Sequence, residues 1–295
     1  MLQLSAFHGQ EELKNNCVEE FTAWVQQRES KSIFDTAAEI CSLIKTYTPS
    51  DFAFENYDSY PEVLGLPIWL SNLLRTINHH IPEDSFSFKD DYRKTFYPKL
   101  IDALKIGIDY SNLFHKWELS LLQDLILKEE EWSTYILRVI HLHEEKIKGN
   151  QIKEMTWHSV MNELDKLYKT IDEFTGVPNT VGLNELDALE KYQAAKSQGG
   201  NTTNELWKDF EQKKLIRKAH NNALRNPVRA AFLSASEYIS PNTAYTSSAE
   251  AFVDTMWVNQ IINTGTGDHK DEAVFRMEKW NMINDRLIKA ITDWK

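Results

Sequence analysis

Two apolar stripes with helical spacing follow each other between residues 113 and 147, and they constrain the fold more than any other feature of the sequence. The first consists of Leu113, Phe114, Trp117, Leu121, Leu122 and Leu125, and the second of Trp132, Tyr135, Ile136, Val139, Ile140 and Ile147. Apolar residues at steps of three and four lie on one face of an α-helix. An acidic turn, Glu129 to Glu131, separates the stripes. The sequence therefore predicts a helical hairpin over residues 111–148 at the centre of an all-helical core.

The rest of the chain shows the same periodicity, without the signals of a β-hairpin or of alternating strands and helices. The predicted fold is an all-α bundle of roughly ten to twelve helices with no sheet. Predicted helices include 10–29, 68–79, 89–106, 204–224 and 227–238, the last two divided because proline ends or kinks a helix. A Gly- and Thr-rich stretch between residues 198 and 203 is typical of a linker. We therefore expect a core domain at 1–197 and a C-terminal helical subdomain at 204–295.

Charge and cysteine content limit the possible functions. The chain has 33 Lys and Arg against 44 Asp and Glu, a net charge of -11, which works against general attraction to nucleic acids or anionic membranes. Its two cysteines, Cys17 and Cys41, belong to no metal-binding motif, and a reducing compartment fits them. Met1 to Lys14 does not resemble a signal peptide, and the longest uncharged apolar stretch, Val63 to Leu74, is too short to cross a bilayer. We expect a cytoplasmic protein without membrane contact.

Several short segments resemble an uncharacterised family of bacterial and phage proteins with an N-terminal AFHG segment, an LGIP-like corner and a helical C-terminal half. The segments are Ala6, Phe7, His8 and Gly9; Tyr60, Leu64, Gly65, Leu66 and Pro67; Tyr97, Pro98, Leu100, Ile101, Ala103 and Leu104; and Asp109, Tyr110 and Ser111. Members often carry a cysteine-containing segment after the first helix, whereas Ser30 to Glu39 contains none. The resemblance implies a helical fold and a bacterial or phage origin, and it assigns no catalytic residue.

The sequence predicts no metal and no cofactor. Ferritin-like di-iron sites need Glu and His three residues apart on a helix, and none of the nine histidines has Glu three residues before it. The HExxH motif, the P-loop and the GxGxxG motif are all absent.

Arg138 and His143 have the spacing of the catalytic pair in helical HEPN-type ribonucleases, in which His acts as acid or base and Arg stabilises phosphate charge. However, His143 lies on the apolar stripe of its helix, whereas Arg138 falls toward the outer face. A core histidine that forms a hydrogen bond is the competing interpretation.

The strongest electrostatic anomaly is an acid-free window between Gln212 and Ser236. Its six cations are Lys213, Lys214, Arg217, Lys218, Arg225 and Arg229, which we call the basic segment. In a chain of net charge -11 they predict a local positive surface. Arg229 follows Pro227, where a helix N-terminus would favour anions. The competing interpretation is a solvated face, or one that pairs with the acidic turn at Glu129 to Glu131.

These features together favour a non-enzymatic binding or regulatory protein that engages a protein partner or an anionic ligand through the basic segment. Nucleic acid is a possible but not a favoured partner. Two alternatives remain open: a metal-independent ribonuclease that uses Arg138 and His143, and a structural subunit of a homo-oligomer.

Overall fold

The computed structural model describes residues 4–29, 60–80, 86–126, 132–198, 203–240, 247–267 and 269–295. All regular elements in these ranges are helical and none is a strand, which confirms the all-α prediction. The α-helices are α1 (Glu11–Glu29), α2 (Ile68–His80), α3 (Phe86–Ala103), α4 (Leu113–Leu122), α5 (Ser133–Ile147), α6 (Glu154–Thr170), α7 (Asn179–Ser197), α8 (Thr203–Ile239), α9 (Ser248–Thr264) and α10 (His269–Thr292). Short 3-10 helices cover Ala6–Gly9 and Gln123–Leu125, and Tyr60–Leu64 forms one π-helical turn.

The chain divides into two compact units. The first contains Met1–Trp117, Pro241–Tyr245 and Met282–Lys295, and the second contains Glu118–Ser240 and Thr246–Asn281. The expected division between residues 197 and 204 differs from this one, since α7 and α8 lie in the same unit and pack against each other. Residues 199–202, the centre of the expected linker, lie outside the described ranges.

In the first unit, two of the segments that carry the family resemblance lie together with the turn at Gly107 and Ile108. The N–H of Ala6 donates to the carbonyl of Ile108 at 2.8 Å, and the N–H of Gly107 donates to the carbonyl of Ala6 at 2.9 Å. Gly65, at φ +64°, lies so close to Ser5 that a Cβ atom there would overlap with the Ser5 carbonyl oxygen. The AFHG segment and the corner at Gly65 therefore form one packed structural junction.

In the second unit, α8 is the central helix and packs against α5, α6, α7 and α9. Its buried residues include many small side chains, namely Ala219, Ala230, Ala231, Ser234 and Ala235. Small side chains allow two helices to approach closely, because the distance between helix axes depends on the residues at the contact. Of these small residues, Ala219 packs against Trp257, Val258 and Ile261 of α9.

Pro227 lies inside α8, so the prediction of separate helices at 204–224 and 227–238 is wrong. A proline inside a helix removes one backbone donor and disfavours the preceding turn. Here α8 buries residues on both sides of Pro227, and this packing outweighs the local cost of the proline. Arg229 consequently lies in the middle of a helix and not at an N-terminus.

The two apolar stripes form α4, extended by the 3-10 turn Gln123–Leu125, and α5. The acidic turn Glu129 to Glu131 lies outside the described residues, so the hairpin itself stays a prediction. No helix within the described ranges is both long enough and apolar enough to traverse a lipid bilayer.

Replacement of Gly65 by alanine tests the junction in the first unit. A Cβ at this position meets backbone and not a flexible side chain, so we expect Gly65→Ala to destabilise the protein by more than about 2 kcal/mol. Gly149→Ala is the matched control: its φ is +84° with no atom within 4 Å, so only the left-handed conformation is penalised, by about 1 kcal/mol. Urea unfolding midpoints measure both. Equal losses would contradict the close approach at Gly65.

Candidate functional site

Arg217, at the centre of the basic segment, has a buried side chain that is only 6% exposed. Its Nη2 donates to Glu173 Oε1 at 2.9 Å, its Nη1 donates to the Glu173 carbonyl at 3.2 Å, and its Nε donates to the carboxylate of Glu185. The guanidinium lies 5.1 Å from the ring centre of Phe174. A buried cation has to be paired because it has lost its hydration, and Arg217 is paired by the protein's own carboxylates.

The loop between α6 and α7, residues 171–178, is held in one conformation by side-chain hydrogen bonds. Asn221 of α8 donates to the carbonyls of Asp172 and Thr175, the latter at 3.1 Å. The Asp172 carboxylate accepts from the N–H groups of Phe174 and Thr175, both at 2.8 Å. These hydrogen bonds, the one from Phe174 first, hold the pKa of Asp172 below its usual value. The loop thereby presents the Phe174 ring, 64% exposed, beside Arg217.

Lys213 and Lys214 pair with carboxylates one turn earlier in the same helix. Lys213 Nζ donates to Asp209 at 2.9 Å, and Lys214 Nζ donates to Glu211 at 3.3 Å. Pairs at three or four residues on one helix face stabilise the helix by a few tenths of a kcal/mol. They also neutralise the local potential that these two lysines would otherwise create.

Arg229 belongs to a charge network between α8, α9 and α10. It contacts Asp254 at 3.2 Å and Glu250 at 3.6 Å, both on α9. Arg276 of α10 shares Asp254 at 2.7 Å and binds Glu272 at 2.7 Å. Two arginines thus face three carboxylates, and no net positive charge is left there.

Among the six cations, Lys218 and Arg225 have no carboxylate partner in the part of the chain that the structure describes. Lys218 is exposed. Arg225 lies 4.5 Å from the ring centre of Tyr168, and its buried Nε has no hydrogen-bond acceptor there. The expectation that the basic segment is an unneutralised positive surface is therefore wrong for Lys213, Lys214, Arg217 and Arg229. The role of the basic segment as a ligand-binding site stays a prediction.

Arg217 is one of the residues that line an open pocket of about 540 Å³, which we call the Arg217 pocket. Its apolar lining consists of Phe174, Val177, Pro178, Leu183 and Leu186. Leu183 and Leu186 of α7 are 64% and 57% exposed. Large apolar side chains that cluster on the surface of a protein mark interaction sites more often than isolated ones do.

Arg138 and His143 do not form a joint site. Arg138 is exposed and pairs with Glu163 of α6. His143 is fully buried, with its ring edge-to-face 5.1 Å from Trp157 and its Nε2 2.8 Å from Ser234 Oγ. The competing interpretation of His143 as a core histidine agrees with these contacts.

His143 is one end of a buried chain of polar groups that the sequence did not indicate. Ser234 Oγ lies 2.8 Å from His143 Nε2 and also hydrogen-bonds Glu118, so this hydroxyl links the histidine to the carboxyl group. Ser248 Oγ donates to Glu118 Oε1 at 2.8 Å, and the Ser248 N–H donates to Glu237 Oε1 at 2.8 Å. Within the described chain, Glu118 Oε2 has no hydrogen-bond partner. Four helices, α4, α5, α8 and α9, supply this chain.

Both carboxyl groups of this chain bind protons more tightly than a solvated glutamate. Burial raises the pKa of Glu118 to about 7, although hydrogen bonds from Ser234 and Ser248 lower it. Burial, and then the charge of Glu118, raise the pKa of Glu237 well above its usual range. Two carboxyl groups this close in a medium of low dielectric constant share protons, because both cannot ionise cheaply. Because Glu118, His143, Ser234 and Ser248 are almost inaccessible to solvent, a dissolved substrate cannot contact them.

The described residues contain no group of three or more His, Cys, Asp and Glu side chains placed to hold a metal ion. Comparison with known proteins adds no family: the chain matches no protein-family model, no curated protein and no solved structure. The resemblance to the AFHG-containing family consequently stays a prediction.

Replacement of Arg217 by methionine tests the buried ion pairs. The substitution leaves Glu185, whose side chain is 14% exposed, without a counter-charge, so we expect a loss of about 2–3 kcal/mol in the free energy of unfolding. Adding Glu185→Gln should restore part of that loss, since the second change removes the uncompensated charge. Lys191→Met, which breaks an exposed pair with Asp187, should have no measurable effect. Additive losses in the double variant would contradict the pairing.

The pH dependence of stability tests Glu118. The pKa of about 7 in the folded state lies above the ordinary 4.5, so the folded state binds more protons between these values. The free energy of unfolding should therefore fall as the pH rises from about 4.5 to about 7. Urea unfolding over this range should show a weaker fall for Glu118→Gln, while the exposed control Glu190→Gln should behave as wild type. A wild-type slope in Glu118→Gln would refute the assignment.

Proposed function

We propose that this chain is a non-enzymatic binding protein and that the Arg217 pocket is its docking surface for a partner protein. The observation that carries the proposal is the set of exposed apolar side chains, Phe174, Leu183 and Leu186, around a rigidly held arginine. Aromatic and arginine side chains contribute most often to the energy of protein interfaces. An apolar anchor of the partner fits a pocket of about 540 Å³ with such a lining.

The charge of the pocket supports a protein partner over an anionic ligand. Glu173 and Glu185 bring two negative charges against the one positive charge of Arg217. A phosphate or carboxylate would have to displace Glu173 from the guanidinium, and the carboxylate of Glu185 would repel it. A partner segment with an apolar side chain next to Lys or Arg is complementary, because Glu173 is 63% exposed and available to a second cation.

The pocket is also preorganised. Asn221 and the carboxylate of Asp172 hold the loop, and the guanidinium of Arg217 lies 5.1 Å from the centre of the Phe174 ring. A surface that is ordered before binding loses little conformational entropy in the complex. This rigidity favours recognition of a short segment by insertion of one or two side chains.

Selection of peptides from a random display library tests the proposal. Peptides selected on wild-type protein should share an apolar residue next to Lys or Arg and should bind at least about tenfold more weakly to Phe174→Ser and to Leu183→Ser. Leu137→Ser is the matched control, because Leu137 is a 46% exposed apolar residue that borders a different surface hollow. Its affinity for the same peptides should equal that of wild type.

Two outcomes would refute the proposed surface. The first is equal binding by wild type and by both pocket variants, measured on protein whose helical content is verified by circular dichroism. The second is a consensus of acidic peptides whose binding is lost in Lys218→Glu, which would move the site to the part of the basic segment that lacks carboxylate partners.

A further inference from the structure

The first turn of α9 is attached to α8 and α4 through two carboxyl groups. Ser247, the residue before α9, caps the helix by accepting a hydrogen bond from the Glu250 N–H at 3.3 Å. The next residue, Ser248, gives its backbone N–H to Glu237 of α8 and its hydroxyl to Glu118 of α4. One serine therefore joins the two acids, which we call the carboxyl pair.

We propose that the carboxyl pair is a proton-dependent clamp that keeps the first turn of α9 on α8 while it holds a proton and releases it when that proton is lost. Release transfers one proton from the pair to solvent and leaves a negative charge on each carboxyl group. The clamp is independent of the Arg217 pocket, so either proposal can fail alone.

The geometry supports this because both acids bind the same residue. Glu118 Oε1 and Glu237 Oε1 each lie 2.8 Å from an atom of Ser248, so both carboxyl groups contact the same residue, and the charge of Glu118 acts on Glu237. Like charges placed in this way repel strongly in an interior of low dielectric constant. With one proton the pair carries a single charge and can make both hydrogen bonds. With none, both carboxylates still accept from Ser248, but each carries a charge, and Glu118 shares its charge with an oxygen that has no donor among the described residues.

The neighbouring titratable groups do not relieve this repulsion. From α5, His143 faces Glu118 only through Ser234, whose hydroxyl hydrogen-bonds both residues. From α8 and α9, Arg229 lies against Glu250 and Asp254, so carboxylates other than the pair take up its charge. Burial raises the pKa of Glu118 to about 7, which places the ionisation of this carboxyl group near neutral pH, and the pKa of Glu237 is also raised.

Release would also expose the surroundings of the clamp. Ser247 and Ser248 are 4% and 1% exposed in the closed state. Tyr238, the residue after Glu237, packs at 4.7 Å from Trp157. Opening of the first turn of α9 would expose its backbone N–H groups to solvent. Faster hydrogen exchange confined to this turn is distinct from unfolding of the whole unit.

Hydrogen–deuterium exchange read by mass spectrometry tests the clamp, with labelling times scaled for the pH dependence of intrinsic exchange. In wild-type protein we expect peptides over residues 248–256 to exchange at least about tenfold faster at pH of about 8.5 than at about 6, while peptides of α6 change little. Glu118→Gln keeps an acceptor for the Ser248 hydroxyl and cannot ionise, so it should remove the difference. Glu190→Gln, an exposed control, should retain it.

Three results would overturn the proposal: equal protection of the first turn of α9 at both pH values, an unchanged response in Glu118→Gln, or a uniform loss of protection in all helices. If Glu118→Gln does not fold, Glu237→Gln carries the same test, since it also removes one of the two charges. Its glutamine oxygen still accepts from the Ser248 N–H.

Discussion

Desolvation of charged side chains between packed helices is the constraint on which the second unit depends. The long helix α8 places Arg217 and Arg229 where water cannot fully hydrate them, and carboxylates from the 171–178 loop, α7 and α9 compensate. Near the C-terminus of the same helix, Glu237 lies close to a second acid, Glu118. There a bound proton, and not a counter-charge, reduces the repulsion between the two carboxyl groups. Both solutions follow one rule, since a buried charge without compensation costs several kcal/mol.

These contacts give α8 two different surfaces. Around Arg217 the charges cancel and the remaining exposed surface is apolar, which suits recognition of a partner side chain. At the carboxyl pair Glu118 is fully buried and Glu237 is half-buried, and it is the proton content of the pair that can change. The first surface is available to a macromolecule, whereas the second responds to solution pH.

Part of the charge pairing could have been read from the sequence. Asp209 and Glu211 stand just before the acid-free window, four and three residues ahead of Lys213 and Lys214, and such spacing predicts pairs on one helix face. The partners of Arg217 and Arg229 are 21 or more residues distant along the chain, so no local pattern could indicate them. The carboxyl pair could not be predicted for the same reason, because Glu118 and Ser248 are separated by 130 residues.

The sequence by itself determined the helical character of the chain, because the three- and four-residue period of apolar side chains is a local property that packing only completes. It also indicated the segments now seen as α1, α2, α4 and α5. Only the tertiary structure decided that α8 continues through Pro227, that four of six cations are neutralised, and that two acids share a serine. Each of these three findings depends on which groups are buried together. Helix packing decides this, and the neighbours of a residue in the sequence do not.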